Sequence, residues 1–306
     1  MAHLPRLQAP RRILNELRLS KKSDTLEIEI DATVGFFAQL NWCLYILAYC
    51  EQHDLTPRIR LTGAQYSNLP SHDWFHDLFE DRQGTGSTHA RSTRLHTSSL
   101  TIKHISETRF ASLYAASMSI EWGHRLFSTY YSVKPHIETY IRDFVAKEFA
   151  GGGAIGLHFR GTDKKMEAEP VDWPRCFSSV MKMAADRPEI KKVFVSSDDP
   201  QFIEWFAREA AGTLSVIVHP DEERSRDAQP IHTNASGNGN RKGFEALVNC
   251  LLLSRCTALI RTASFLSGWS SVFNPVLPIT LLNEPYAHVR WFPDRELIHR
   301  SDNRYL

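Results

Sequence analysis

After the glycine triplet at residues 151–153, short apolar runs alternate with longer amphipathic segments. AIGLHF is followed by RCFSSVMKMAADRP, KKVFVSSDDP by PQFIEWFAREAAG, LSVIVHP by RKGFEALVNCLLLSRC, and TALIRTASF by FLSGWSSVFN. Apolar runs this short and uniform predict strands buried on both faces, and the longer segments predict helices. Strands joined by helical crossovers lie parallel, and right-handed crossovers cover both faces of the sheet with helices. Few folds satisfy that pattern, so the expectation is an α/β doubly wound parallel sheet.

The first half opens in the same way. TLEIEIDATV (25–34) alternates, with Leu26, Ile28 and Ile30 on one face. Gly35 then leads into FFAQLNWCLYILAYCEQHDL, read as a largely buried helix, and residues 58–61 form a second short strand. Residues 62–108, rich in Ser, Thr, His, Asp and Gly, read as loops and short helices, and residues 109–149 as helical. Ile137, Ile141, Phe144 and Val145 stand at helical spacing, and the glycine triplet ends that helix. With 306 residues there is room for two domains of roughly 150 residues each. The expected division is a basic leader over 1–24, an N-terminal α/β domain over 25–150 and a Rossmann-like domain over 151–306. The leader lacks the apolar block of a signal peptide and reads as solvated, although Ile13, Leu14 and Leu17 could lie along a partner or membrane surface.

Charge narrows the partners. Lys plus Arg number 36 against 35 Asp plus Glu, which argues against a general nucleic-acid binder. No apolar run reaches the length of a membrane span. The five cysteines, an odd count without CxxC spacing, read as buried thiols in a reducing, cytoplasmic setting. The 14 histidines fit no metal motif. Asp198 and Asp199 adjoin and run into a helix, unlike the spaced aspartates of a DxD metal site, so no metal is expected. GxGxxG, Walker A and GxSxG are absent. His158, Asp163 and Ser264 make a hydrolase triad only if geometry is assumed.

Ligands of open α/β sheets bind beyond the carboxyl ends of the strands. The residues there are Gly35, the stretch from His158 to Lys164, Ser196 to Asp199, His219 to Arg224, and Thr262 to Ser267. Small and hydroxylated residues with one arginine and an acidic pair suit a phosphorylated, hydroxyl-rich ligand. Arg160 offers a planar fork to a pyrophosphate. Thr262, Ser264 and Ser267 can hold phosphate oxygens together with helix-start N–H groups. Asp198 and Asp199 can accept from sugar or base donors. For Asp199, before Pro200, a helix N-cap is the stronger reading, and Thr262 and Ser264 stand evenly between cap and ligand.

At these residues the chain resembles a known family. GLHFRGTDK (Gly156 to Lys164) is similar to the HxRRTDK motif of α-1,6-fucosyltransferases and the related bacterial Nod-factor fucosyltransferases. VFVSSDDPQFI resembles their strand ending in (T/S)DDP. EALVNCLLLSRCTALIRTASFLSGW resembles the block of helix, strand and serine loop, and GFFAQLNWCLYILAY the GxxxQLHH-type loop and helix. α-1,2-Fucosyltransferases share a related pattern. The four blocks run in order from about residue 33 to 273.

The resemblance implies a GT-B fold, two Rossmann-like halves facing a cleft, with GDP-fucose held mainly by the C-terminal half and the N-terminal half on the acceptor side. The implied reaction is inverting, metal-independent transfer of L-fucose to a sugar hydroxyl. His158 and Arg160 would bind GDP, with Arg160 neutralising the departing phosphate. Asp163 and Lys164 match the TDK pair. Gly35, Gln39, Asp198, Asn249, Thr262 and Ser264 complete the donor site, and Glu167 or Glu169 supplies the general base, Glu167 being the choice here. The chain departs from the family at Gly161, which replaces the second motif arginine, so that Arg241, Lys242 or Arg261 would have to compensate. Asn249 stands where the family has aspartate. Another donor sugar, or a catalytically silent nucleotide or sugar binder, are the competing readings. Of the tryptophans Trp74, Trp122, Trp173, Trp205, Trp269 and Trp291, Trp173 is nearest in sequence to the TDK loop and is the first choice for stacking on an acceptor. The Ser/His-rich stretch 84–99 is read as disordered in preference to an acceptor groove.

Overall fold

The computed structural model describes residues 25–82, 92–98, 114, 117–161, 167–220, 238–289 and 291–299. Their chain order is β1 (Thr25–Asp31), α1 (Phe36–Gln52), β2 (Thr56–Leu61), α2 (Phe75–Leu78), β3 (Phe79–Asp81), β4 (Ser92–Ser98), α3 (Ile120–Tyr130), β5 (Tyr131–Val133) and α4 (Pro135–Glu148). There follow β6 (Ile155–Phe159), α5 (Trp173–Asp186), β7 (Lys192–Ser197), α6 (Pro200–Ala210), β8 (Ser215–Ile217) and α7 (Gly239–Ser254). The last are β9 (Ala258–Arg261), α8 (Phe265–Phe273), β10 (Ile279–Leu281) and α9 (Asp294–His299). These fall into two compact units. One comprises Met1–Met118, Arg125–Lys134 and Asn238–Asn240, the other Ser119–His124, Pro135–Gly237 and Arg241–Leu306.

In the first unit β1 is the middle strand of a parallel sheet, flanked by β2 and β4. Leu26, Ile28 and Ile30 are buried as their alternation predicts, while Glu27 and Glu29 lie beside Arg58 and Arg60 of β2 at 3.5 and 3.0 Å. Cross-strand ion pairs of this kind belong to a face turned toward water. α1 is apolar on nearly every side, and thirteen of its seventeen residues are buried. β4 corrects the reading of 62–108 as loops and short helices: Ser92–Ser98 runs in register with Thr25–Asp31. Its hydroxyl-rich sequence carries no apolar alternation, and the parallel pairing depends on a partner distant in sequence. Residues 109–149 are less helical than expected, because β5 interrupts them and pairs antiparallel with β3.

The second unit holds a five-stranded parallel sheet in the order β10-β9-β6-β7-β8. Chain order therefore reverses direction between β6 and β9, a topological switch point. Every residue of β6 and β9 is buried, as strands covered on both faces require. On one face Ile155, Leu157, Phe159, Val193, Val195 and Ile260 pack with Cys176 and Val180 of α5 and Phe202 and Phe206 of α6. On the other, Phe144 of α4 and Phe149 just beyond it meet Phe194 of β7, which draws α4 into this unit. Glycines 151, 152 and 153 all take positive φ (83°, 126° and 83°) between α4 and β6. All five cysteines are buried free thiols. Among the described residues no helix is long and apolar enough to cross a membrane.

Candidate active site

The tips of β6 and β9 are laced together at the switch point. Thr262 N–H donates to His158 O at 3.0 Å, and Arg160 N–H donates to Thr262 Oγ1 at 3.0 Å. Thr262 is thus a clamp on the β6 tip and not a helix cap. Its hydroxyl fixes the backbone that carries the Arg160 side chain. From β7, Asp198 accepts Gly161 N–H on Oδ1 at 3.1 Å and faces Arg160 Nε with Oδ2 at 3.9 Å. The Arg160 side chain is 21% exposed, so it is neither swallowed by the core nor loose in solvent. Asp199 is the α6 N-cap, accepting from Gln201 N and Phe202 N at 3.0 and 3.2 Å.

α8 begins at this edge. Ser264 occupies its N-cap position without making a side-chain capping bond, although the residue is only 4% exposed. The first N–H groups of α8 and an uncommitted serine hydroxyl therefore share one small region, the arrangement that favours an anion. Ala263 N–H is taken by Asn283 Oδ1 at 2.8 Å, and Asn283 Nδ2 donates to Glu169 O at 2.6 Å. Tyr286 N–H donates to Glu167 O at 2.7 Å. Asn283 was not anticipated from sequence; one amide in a loop carries no signal of its own. It ties the segment after the β6 loop to the segment before α8.

A shallow depression of about 320 Å³, open solvent included, lies beside the α8 start and is lined by residues that include Glu167, Ser264, Phe265, Trp291 and Asp294. It separates the two acids considered as base: Glu167 lines it, while Glu169 is exposed and is not part of the lining. Trp173, half-buried, packs on Phe202 and Trp205 against the core and is not part of this lining.

His158 of β6 and Asn249 of α7 are both buried, at 5% and 2% exposure. In the first unit, Gly35 O accepts the first N–H bonds of α1, and Gln39, wholly buried, donates to Val34 O at 3.0 Å and so pins the loop that precedes the helix. Asp163 and Lys164 lie outside the described residues, as do the leader 1–24 and most of 84–99. The arginines considered as substitutes for the missing motif cation are occupied. Arg261 is fully buried, its Nη2 paired with Asp294 and 3.4 Å from Ser264 O, and Arg241 pairs with Glu245 one turn along α7. Lys242 is buried at 7% exposure.

Comparisons with known proteins bear on the family and the fold. Residues 119–290 match the family model for nodulation protein Z, NodZ. A nodulation protein Z of Azorhizobium caulinodans is 29% identical over 163 residues, 48% of this chain and 47% of that protein, so the chain spans about half the length of this curated relative. Among solved structures, the fucosyltransferase NodZ from Bradyrhizobium superposes with a TM-score of 0.56 at 17% identity, over 84% of this chain and 94% of that one. A NodZ α-1,6-fucosyltransferase soaked with GDP-fucose gives 0.54 at 17% identity with the same coverage. At such identity the likeness establishes a shared fold, the GT-B class of the glycosyltransferases. The family model takes in more than half of the chain, including both strands that form the switch point: the chain belongs to the nodulation protein Z family.

Proposed function

We propose that the protein transfers L-fucose from GDP-fucose to a hydroxyl of a carbohydrate acceptor. The observation that carries this reading is the switch-point tip itself: Arg160, braced by Thr262 and Asp198, stands on the strand next to the one that leads into α8 and its Ser264. That is a site for a diphosphate, and relatives in the family carry the fucosyltransferase name. His158 and Asn249 hold the nucleoside end, and Gly35 and Gln39 keep the donor role that their motif implies. Asp163 and Lys164 belong to the same site by their motif. Asp198, with both oxygens turned to the β6 loop, positions Arg160 and leaves the sugar to other groups.

In the proposed step an acceptor oxygen attacks C1 of fucose from the face opposite GDP. The C1–O bond to the β-phosphate breaks, its electron pair stays on the phosphate oxygen, and the acceptor proton passes to the Glu167 carboxylate. The configuration at C1 inverts. Arg160 and the α8 N–H groups meet the charge that develops on the leaving phosphate, the work a divalent ion does in other transferases. Five buried free thiols support a cytoplasmic setting.

The test is a thermal-shift series with nucleoside diphosphates. GDP and GDP-fucose are expected to raise the melting temperature, UDP is not, and Arg160→Ala weakens GDP binding by about tenfold or more through loss of a charge-assisted contact. Stabilisation by UDP with GDP inert transfers the proposal to another donor. Donor binding without transfer or donor hydrolysis, over a broad acceptor panel, reduces it to a binding protein.

A further inference from the structure

We infer that the depression beside α8 is a sugar-ring subsite for the acceptor, with Trp291 as its stacking platform. The inference rests on the donor reading above and adds which part of the chain grips the second substrate. Large aromatic side chains are normally covered, and Trp74 and Trp269 are exposed by 1% and 0%. Trp291 is 40% exposed, and it is exposed at the wall of a depression whose other lining includes Glu167 and Ser264. A flat apolar face bordered by a carboxylate and a hydroxyl matches a pyranose: its C–H face covers the indole and its equatorial hydroxyls donate to the rim.

Asp294 is paired with Arg261, and Glu167 stands in the same lining, where a carboxylate oxygen can accept hydrogen bonds from a neutral, hydroxylated ligand. The shallowness of the depression suits one ring laid on a platform from solution, whereas a nucleobase needs a deeper slot. Because Ser264 and Phe265 line it as well, a ring on Trp291 sits beside the α8 start where the departing phosphate is proposed, with Glu167 on hand for its hydroxyl.

The experiment titrates the full-length chain with neutral glucose, N-acetylglucosamine and mannose oligosaccharides, with and without GDP, by calorimetry and tryptophan fluorescence. Wild type is expected to bind at least one series. Trp291→Ala is expected to bind it about tenfold more weakly or worse, and Trp291→Phe to retain most of the affinity. The GDP-induced thermal shift stays in all three proteins, which also shows that the variants are folded. Equal oligosaccharide binding by wild type and Trp291→Ala overturns the inference, and so does the absence of binding by wild type. Loss of GDP binding in Trp291→Ala overturns it too, in favour of a nucleobase platform. A wild type that ignores GDP but binds oligosaccharide through Trp291 upholds the subsite and sinks the donor reading, so the two failures are distinct.

Discussion

Replacing Asp294 by leucine tests whether Arg261 is structural or a ligand for phosphate. Arg261 is fully buried, its Nη2 reaches Asp294 and Ser264 O, and a Cβ on Gly268 would sit 2.9 Å from that nitrogen. An arginine does not shed its proton in a protein, so Asp294→Leu strands a full charge in the interior, at a cost of about 3–5 kcal/mol. That is a large part of the roughly 5–15 kcal/mol by which a domain is stable. Arg261→Met is milder, because the carboxyl it leaves behind keeps 10% of its side chain in contact with water. The double variant Arg261→Met/Asp294→Leu removes both desolvated charges and returns to within about 1–2 kcal/mol of wild type. Urea unfolding followed by circular dichroism gives the three stabilities, and thermal shift with GDP gives binding. The double variant is expected to keep its GDP response, since the proposed diphosphate site rests on Arg160 and α8. A single Asp294→Leu loss below about 1 kcal/mol, or a double variant that is stable but deaf to GDP, would refute the reasoning.

Other perturbations read different parts of the chain. His76, hydrogen-bonded to Asp73 at 2.7 Å and Asp81 at 3.3 Å, has its pKa raised to about 9 by those bonds, Asp73 foremost. A raised folded-state value gives stability that is whole below pH about 6.5 and lost as pH climbs to about 9. With 36% of its side chain exposed, screening reduces this to on the order of 1 kcal/mol, and urea midpoints for wild type and His76→Gln should converge at high pH and differ at pH 6. Gly239→Ala puts a Cβ 2.7 Å from Ser67 N and 2.8 Å from Ser67 O, a backbone collision worth about 1–3 kcal/mol that a thermal melt would detect. Thr262→Val removes the acceptor of Arg160 N–H, and GDP affinity should fall about tenfold, with Thr262→Ser restoring it; equal affinities for all three would deny the clamp. At Gly161 a Cβ would meet the Phe159 ring at 2.9 Å and Asp199 Oδ2 at 3.4 Å. Restoring the motif arginine there should cost stability as alanine does and draw the new charge toward Asp199, so a Gly161→Arg variant with tighter GDP binding and no stability loss would contradict that picture.

What could be read in advance follows from the range of the interactions. The β6, β7 and β9 strands announce themselves because burial on both faces leaves no room for polar residues between Ile155 and Leu157 or between Val193 and Val195. Arg160, Thr262 and Ser264 are legible for the same reason, since each follows directly on such a strand. β4 is not legible: STRLHTS shows no apolar alternation, and only its pairing with β1 makes it a strand. Asn283 and Asp294 are equally silent, because their meaning lies in Ala263, Glu169 and Arg261, twenty to more than a hundred residues away in the chain. Proximity to the TDK loop singles out Trp173, which packs on Phe202, whereas nothing near Trp291 in the sequence reveals that it lines the depression with Glu167 and Ser264.

Two arginines end neighbouring strands of one sheet, and burial alone assigns them opposite work. Arg261 and Asp294 form a pair that the interior has stripped of water, and its gain over the desolvation penalty depends on staying shut. Offering that guanidinium to a phosphate would mean abandoning a buried carboxylate. Arg160 faces Asp198 at 3.9 Å through Nε, keeps one fifth of its side chain exposed and is braced through its backbone by Thr262, so its guanidinium stays within reach of an anion from solution. The missing motif cation therefore cannot be borrowed from β9, however near Arg261 stands in sequence to the serine loop. If GDP-fucose is the donor, the charge of its diphosphate falls on Arg160, on the α8 N–H groups and on Lys164 of the motif. Donor affinity should then respond to salt more gently than in a site with both arginines of the motif.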